Sequence, residues 1–348
     1  MTRRLALFAL FVVVAIACTR GAPPSEASPR ALVGAGATLP YPLYSKWSAE
    51  YQRVEPRVRI NYQSIGSGAG IRQISDGVVD FGATDEPTST PANMVLVPTT
   101  IGAVVIAFNL PGVKELALTP ELIADIFLGK VARWDHERVR AVNQGRALPS
   151  EPITVVHRAD GSGTSAALTT FLAKRSAAWR DVVGAGSSPR FPVGVGAKGN
   201  EGVTAFVKAT PLSVGYVELA YAKQSGLAMA EVQNRAGKLV APSLGALERA
   251  AKSFADPTSE VGPVSLVDSA DEGAYPITAL SFVVVPLEAS DRTKAEALAK
   301  FLWWAIHDGQ DLASALEYAP LPPALVRRGE RALRELRAAG HPLLPGTG

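Results

Sequence analysis

One polar segment, Arg158-Ala159-Asp160-Gly161-Ser162-Gly163-Thr164-Ser165, constrains this chain more than any other. Before it, Pro152 to His157 is a short run rich in β-branched residues; after it, Ala167, Leu168, Phe171 and Leu172 recur with a helical period. The segment between must therefore turn a strand into a helix. Such a turn exposes the first N–H groups of the helix, which have no intrahelical partners, and the macrodipole adds positive potential there. With the fixed cation of Arg158 and several hydroxyls beside it, the turn suits a phosphate-sized oxyanion.

The rest of the chain repeats the same architecture. From Ala31 onward, strand and helix patterns alternate, as expected for α/β lobes with mostly parallel sheets. Thr119-Pro120 opens a helix with Leu122, Ile123, Ile126 and Phe127 on its apolar face, and Gly129 closes it. Pro192 to Gly202 reads as a glycine-rich loop, Val203 to Val207 begins a helix, and Val214 to Val217 is a strand. Ala295 to Ile306 is amphipathic, and Ala324 to Ala338 reads as a charged terminal helix. At 348 residues the chain is long enough for two lobes. Two long apolar strands, Ile101 to Phe108 and Pro276 to Val285, are either an interlobe crossing or simply two core strands. The crossing reading puts 31–108 and 274–348 in lobe I and 109–273 in lobe II.

The N-terminus carries Arg3-Arg4 and then an unbroken apolar run from Leu5 to Ala17. That run is shorter than the ~20 residues needed to span a bilayer and matches a secretory signal, so residues 1–17 are expected to be an export signal. Cys18, the only cysteine, follows immediately and cannot form an internal disulfide. Its place resembles the lipidated cysteine of bacterial lipoproteins, although Ala15-Ile16-Ala17 also suits ordinary signal peptidase. Residues 18–30 read as a flexible tether. Either way the protein works outside the cytoplasm. A net charge of +3 with 19% charged residues argues against nucleic acid as a partner, so any binding charge must be local.

Two further segments repeat the logic of the first. Gly34-Ala-Gly-Ala-Thr38-Leu39-Pro40 leads toward a helix carrying Leu43, Trp47 and Tyr51, and Ile65-Gly66-Ser67-Gly68-Ala69-Gly70 leads into Ile71 and Ile74. Singly, each hydroxyl could be an ordinary helix cap; together with Arg158 they describe a site. Val78 to Ala83 reads as a buried strand with Asp85 at its carboxyl end, where open α/β sheets place their ligands. An ionised Asp is acceptor-only and needs a donor. Phosphate near neutral pH still carries a proton and sulfate does not, so Asp85 would select phosphate. Arg158 can grip the anion with its fork, and Asp160 is close enough to orient it.

In order along the chain, Gly-Ala-Gly-Ala-Thr38, Tyr62-Gln-Ser-Ile-Gly-Ser67-Gly, Val79-Asp-Phe-Gly-Ala-Thr-Asp85, Phe127-Leu-Gly-Lys130 with Trp134, Arg158-Ala-Asp-Gly-Ser-Gly-Thr164, Lys198-Gly-Asn-Glu-Gly202 and Gly215-Tyr-Val-Glu218 resemble the blocks of one family. It is the substrate-binding component of bacterial high-affinity phosphate ABC transporters. The resemblance implies a bilobal type II periplasmic-binding-protein fold, with two mixed-sheet α/β lobes joined by hinge strands that close over one phosphate. It implies a ligand held by Thr38, the backbone N–H of Leu39, Ser67, Asp85, Arg158, Ser162, Gly163 and Thr164, with Asp160 supporting Arg158. Leu39 departs from the phenylalanine common there, which should alter packing more than binding. The implied partners are inorganic phosphate and inner-membrane permease subunits, served by a monomer, with no cofactor and no metal.

Two other readings stand beside this one: a binder of sulfate, molybdate or an organic phosphate, and a phosphoryl-transfer hydrolase. The second lacks its parts. His136, His157, His307 and His341 show no metal-ligand spacing, and neither a Gly-x-Ser-x-Gly elbow nor a phosphate-binding Gly-x4-Gly-Lys loop is present. The chain is not expected to be an enzyme.

Overall fold

The computed structural model describes residues 30–87, 90–252 and 265–344. The export signal, Cys18 and all of the tether except Arg30 lie outside the described residues. Arg30 itself begins the first strand, β1 (Arg30–Gly36). There follow α1 (Tyr41–Val54), β2 (Val58–Ser64), α2 (Ser67–Ser75), β3 (Phe81–Thr84) and the long β4 (Met94–Asn109). The middle of the chain adds β5 (Ala117–Leu118), α3 (Pro120–Phe127), α4 (Glu137–Val142), β6 (Thr154–Arg158), α5 (Gly163–Arg175), α6 (Ala177–Val182), β7 (Val195–Ala197), α7 (Gly199–Ala209), β8 (Ser213–Glu218) and α8 (Leu219–Ser225). Three short strands, β9 (Ala228–Met229), β10 (Glu231–Gln233) and β11 (Leu239–Val240), precede α9 (Leu244–Lys252). The chain then runs through β12 (Thr278–Pro286), β13 (Glu288–Ala289), α10 (Arg292–Ile306), α11 (Pro323–Glu335), β14 (Arg337–Ala338) and β15 (His341–Pro342).

The main sheet has the order β2-β1-β3-β12-β4-β8-β6-β7. It is mixed rather than mostly parallel, because β12 runs antiparallel to both β3 and β4, and β4 runs antiparallel to β8. The two long apolar strands of the sequence are β4 and β12, and they pair with each other. β4 changes partner within one peptide: Ala103 is in register with Thr278 of β12, and Val104 with Glu218 of β8. One strand therefore serves two halves of the molecule, β2-β1-β3-β12 on one side and β8-β6-β7 on the other. Residues 97 to 108 of β4 are buried without interruption, on both faces, which is why the segment carries few polar residues.

Several local expectations hold. α3 is capped by Thr119, whose hydroxyl accepts from the N–H of Leu122 at 3.2 Å, and Gly129 closes it with φ of 75°. In α5 the four periodic residues Ala167, Leu168, Phe171 and Leu172 are all buried. Others need correction. The strand expected from Val78 begins only at Phe81, and Val78 is exposed. The expected loop 192–202 contains β7, and α7 starts at Gly199, four residues before Val203. The glycines there hide regular structure: Gly199 has φ of 72°, so the helix enters through a conformation that a side chain would strain. The terminal helix stops at Glu335, and Arg337–Ala338 turn into β14, paired with β13 and β15.

Candidate functional site

The residues singled out in the sequence converge where the two halves of the sheet meet. From the first half come Thr38 and Leu39 after β1, Ser67 at the start of α2, and Asp85 just beyond β3. From the second come Arg158 at the end of β6, Asp160, and Ser162, Gly163 and Thr164 at the start of α5. Leu39 is buried, and so are Thr38, Ser67, Arg158, Ser162 and Thr164, an unusual density of polar groups for a protein interior.

Arg158 is fixed from three directions. Its Nε and Nη2 donate to the two oxygens of Asp160 at 2.7 and 2.5 Å, and its Nη1 reaches Thr164 Oγ1 at 3.4 Å. Its backbone N–H donates to the hydroxyl of Tyr216 at 3.1 Å. A guanidinium has five N–H donors, so Asp160 and Thr164 leave part of the fork for a further acceptor. Burial raises the pKa of Asp160, but the hydrogen bonds and charge of Arg158 outweigh it, and the carboxyl titrates below its ordinary value. Asp160 also accepts the N–H of Gly199 at 3.1 Å, which ties the arginine clamp to the start of α7.

The hydroxyls obey a common rule. A hydroxyl has one donor and two acceptor sites. Thr38 Oγ1 accepts from the backbone N–H of Asn200 at 3.2 Å and from its Nδ2 at 2.8 Å. Thr164 Oγ1 accepts from Asn200 Nδ2 at 3.2 Å and from Arg158. Ser67 Oγ accepts from Gly163 N–H at 3.1 Å and, at 3.5 Å, from Asp85 N–H. In each case both acceptor sites are used, so the hydroxyl hydrogen is left to donate. Ser162 Oγ caps α5 by accepting from Ser165 N–H at 3.1 Å.

Asp85 is the opposite kind of group. Ser281 Oγ donates to its Oδ1 at 2.6 Å, while Oδ2 is enclosed without a hydrogen-bond partner among the described residues. The residue as a whole is half-buried; its carboxyl is the enclosed part. Burial pushes its pKa up to about 7, against the hydrogen bond from Ser281 and the charge of Arg158, which pull it down. The two halves touch at this point. A Cβ on Gly163 would lie 2.3 Å from Asp85 Cβ, so only glycine lets α5 approach so closely.

Three participants were not named as site residues from sequence. Asn200, wholly buried, lies inside the Lys198-to-Gly202 block, in the first turn of α7 and not in a loop as its glycines suggest. Ser281 is the only hydroxyl between Ala279 and Pro286 of β12, an isolated polar residue in an apolar strand that was the available signal. Glu201 accepts from Ser64 Oγ at 2.7 Å, and the single hydroxyl hydrogen of Tyr221 is shared between Thr38 O at 2.7 Å and Glu201 at 3.1 Å. His157, by contrast, stacks on Phe191 at 4.5 Å and is hydrogen-bonded through Nδ1 to the carbonyl of Arg158 at 3.0 Å, and no group of three His, Cys, Asp or Glu among the described residues could hold a metal.

Comparison with known proteins accords with this geometry. A PBP superfamily domain matches residues 22–308. The phosphate-binding protein PstS of Xylella fastidiosa strain Temecula1 is 42% identical over 316 residues, covering 88% of this chain and 86% of that one. The chain belongs to the PstS family of phosphate-binding proteins. The PstS of Pasteurella multocida strain Pm70 is 41% identical over 304 residues, covering 85% of this chain and 88% of the other. A phosphate-binding protein of Stenotrophomonas maltophilia shares the fold, with a TM-score of 0.64 at 23% identity, covering 88% of this chain and 94% of that structure. The bilobal PBP architecture is thus common to this chain and to the family.

Proposed function

We propose that this protein captures inorganic phosphate between its two lobes, outside the cytoplasm, and hands it to the membrane subunits of an ABC-type importer. It is a binder and not an enzyme. The observation that carries the reading is the sign of each polar group: Thr38, Ser67 and Thr164 are left as donors, Arg158 keeps part of its fork, and Asp85 Oδ2 is an enclosed acceptor without a partner among the described residues. The complement is an oxyanion with several bare oxygens and one O–H, which describes hydrogen phosphate and not sulfate. A buried acceptor left unpaired costs ~1–3 kcal/mol, enough for about one to two orders of magnitude in selectivity. Family membership supports the same ligand, since the related proteins are named for phosphate.

In this reading the contacts come from Thr38, the N–H of Leu39, Ser67, Asp85, Arg158, Ser162, Gly163 and Thr164, with Asp160 holding Arg158. Lobe I comprises 31–108 and 274–348 and lobe II 109–273, the partner change of β4 lying near the first crossing. Cys18 anchors the exported protein to a membrane through lipid. Palmitate labelling of the wild type and of Cys18→Ala tests the anchor; an unlabelled wild type would mean a freely soluble protein. Calorimetry of the mature protein with phosphate, sulfate, arsenate and a phosphate ester tests the ligand. Phosphate should bind at micromolar concentration or tighter and sulfate far more weakly; no phosphate binding, or equal sulfate binding, would refute the proposal.

A further inference from the structure

We propose that Asn200 is the positioning residue that fixes the proton pattern of the cleft, acting through the hydroxyls of Thr38 and Thr164 without touching the ligand. The inference rests on the phosphate reading and adds a residue to it. The argument begins with the backbone N–H of Glu218, which donates to Asn200 Oδ1 at 3.0 Å. An amide N–H can only donate, so this bond decides which end of the Asn200 carboxamide is oxygen. The NH2 end must then face the other way. There its two hydrogens go to Thr38 Oγ1 at 2.8 Å and Thr164 Oγ1 at 3.2 Å.

The consequence is a relay of sign from the sheet to the cleft. Glu218 is the last residue of β8, in register with Val104, where β4 changes partner. Its N–H sets Asn200, and Asn200 sets one threonine from each side of the cleft. With the acceptor sites of Thr38 taken by Asn200 N–H and Nδ2, and those of Thr164 by Asn200 Nδ2 and Arg158 Nη1, neither hydroxyl can accept a proton from the ligand. Asp85 is left as the acceptor for it. Asn200 thereby makes the site count protons as well as charges, and it bridges the two lobes only when Thr38 and Thr164 are brought together.

The test is a mutant cycle read by phosphate calorimetry. Asn200→Ala removes one of the two donors that hold each hydroxyl, so that either can turn to accept, and should weaken phosphate binding roughly tenfold or more. In a Thr38→Val, Thr164→Val background there is no hydroxyl to orient, so the same substitution should change affinity by less than about twofold. Equal losses in the two backgrounds would overturn the proposal, because a merely structural Asn200 multiplies through. Melting of each ligand-free variant shows that it is folded; if Asn200→Ala does not fold, Asn200→Ser, too short to reach both threonines, carries the same cycle. Failure of the phosphate reading itself would be separate and visible: the wild type would not bind phosphate.

Discussion

The two walls of the cleft are built differently. The α5 wall is local in sequence: Arg158, Asp160 and Thr164 lie within seven residues of chain and hydrogen-bond one another across a strand-to-helix turn, with Gly199 and Asn200 of α7 as further partners. The opposite wall is assembled from four distant segments, with Thr38, Ser67, Asp85 and Ser281 each from a different element. The first wall supplies charge and donors, which any oxyanion would accept. In the phosphate reading the second adds the donors Thr38 and Ser67 and, in Asp85, an acceptor that only a protonated oxyanion satisfies. Gripping and choosing are therefore separable, and they should fail separately.

The largest effect is expected at Arg158. Arg158→Ala should weaken phosphate and sulfate alike by roughly 100-fold or more, since charge-assisted bonds contribute ~1.5–3 kcal/mol each. A loss confined to phosphate in calorimetry would break the division between the walls. Next is Gly163→Ala, whose Cβ would meet Asp85 Cβ at 2.3 Å. Overpacking of that kind costs ~1–3 kcal/mol, so affinity should drop about tenfold, and solution scattering with phosphate should show a less compact particle than the wild type.

Asp85→Asn should leave the grip largely intact and collapse the phosphate-to-sulfate ratio by about tenfold or more, mostly through tighter sulfate binding. Unchanged selectivity would reduce Asp85 to a turn residue. The same carboxyl predicts a pH dependence. With its pKa raised to about 7, folded ligand-free protein retains a proton that the unfolded chain releases near the ordinary carboxylate value. Its contribution to stability is therefore full at low pH and is lost as pH rises toward about 7. At ~1.4 kcal/mol per pKa unit the loss is on the order of 4 kcal/mol, and it should be absent from Asp85→Asn. Acidification should also narrow selectivity, because protonated Asp85 can donate to sulfate. The smallest effect is expected at the rim: Ser64→Ala removes the bond to Glu201 and should cost phosphate affinity less than about fivefold, with no change in selectivity.

The wall local in sequence was also the legible one. A β-branched run, a polar turn and a helical period sit next to one another in sequence, so β6, the Arg158 turn and α5 could be read in order, as could Asp160 as the partner of Arg158. The assembled wall was legible only in pieces. Thr38, Ser67 and Asp85 stood out by their glycine-flanked or strand-end positions, and all three lie at the meeting of the two halves. Asn200 did not, because its meaning depends on Thr38, 162 residues away. Gly194, Gly196 and Gly199 resembled a loop since positive φ and absent side chains look alike in sequence whether a chain is irregular or simply close-packed. The partner change in β4 was equally hidden: an apolar run announces burial on both faces but not which neighbour lies along each half.

That partner change has a mechanical consequence. Because one unbroken strand belongs to both halves, the lobes cannot slide past each other without tearing hydrogen bonds from β12 or β8. What remains cheap is torsion, a change of twist spread over the few peptides around Ala103 and Val104. Any parting of the two halves would therefore be a rotation about this strand, which keeps Gly163 in line with Asp85.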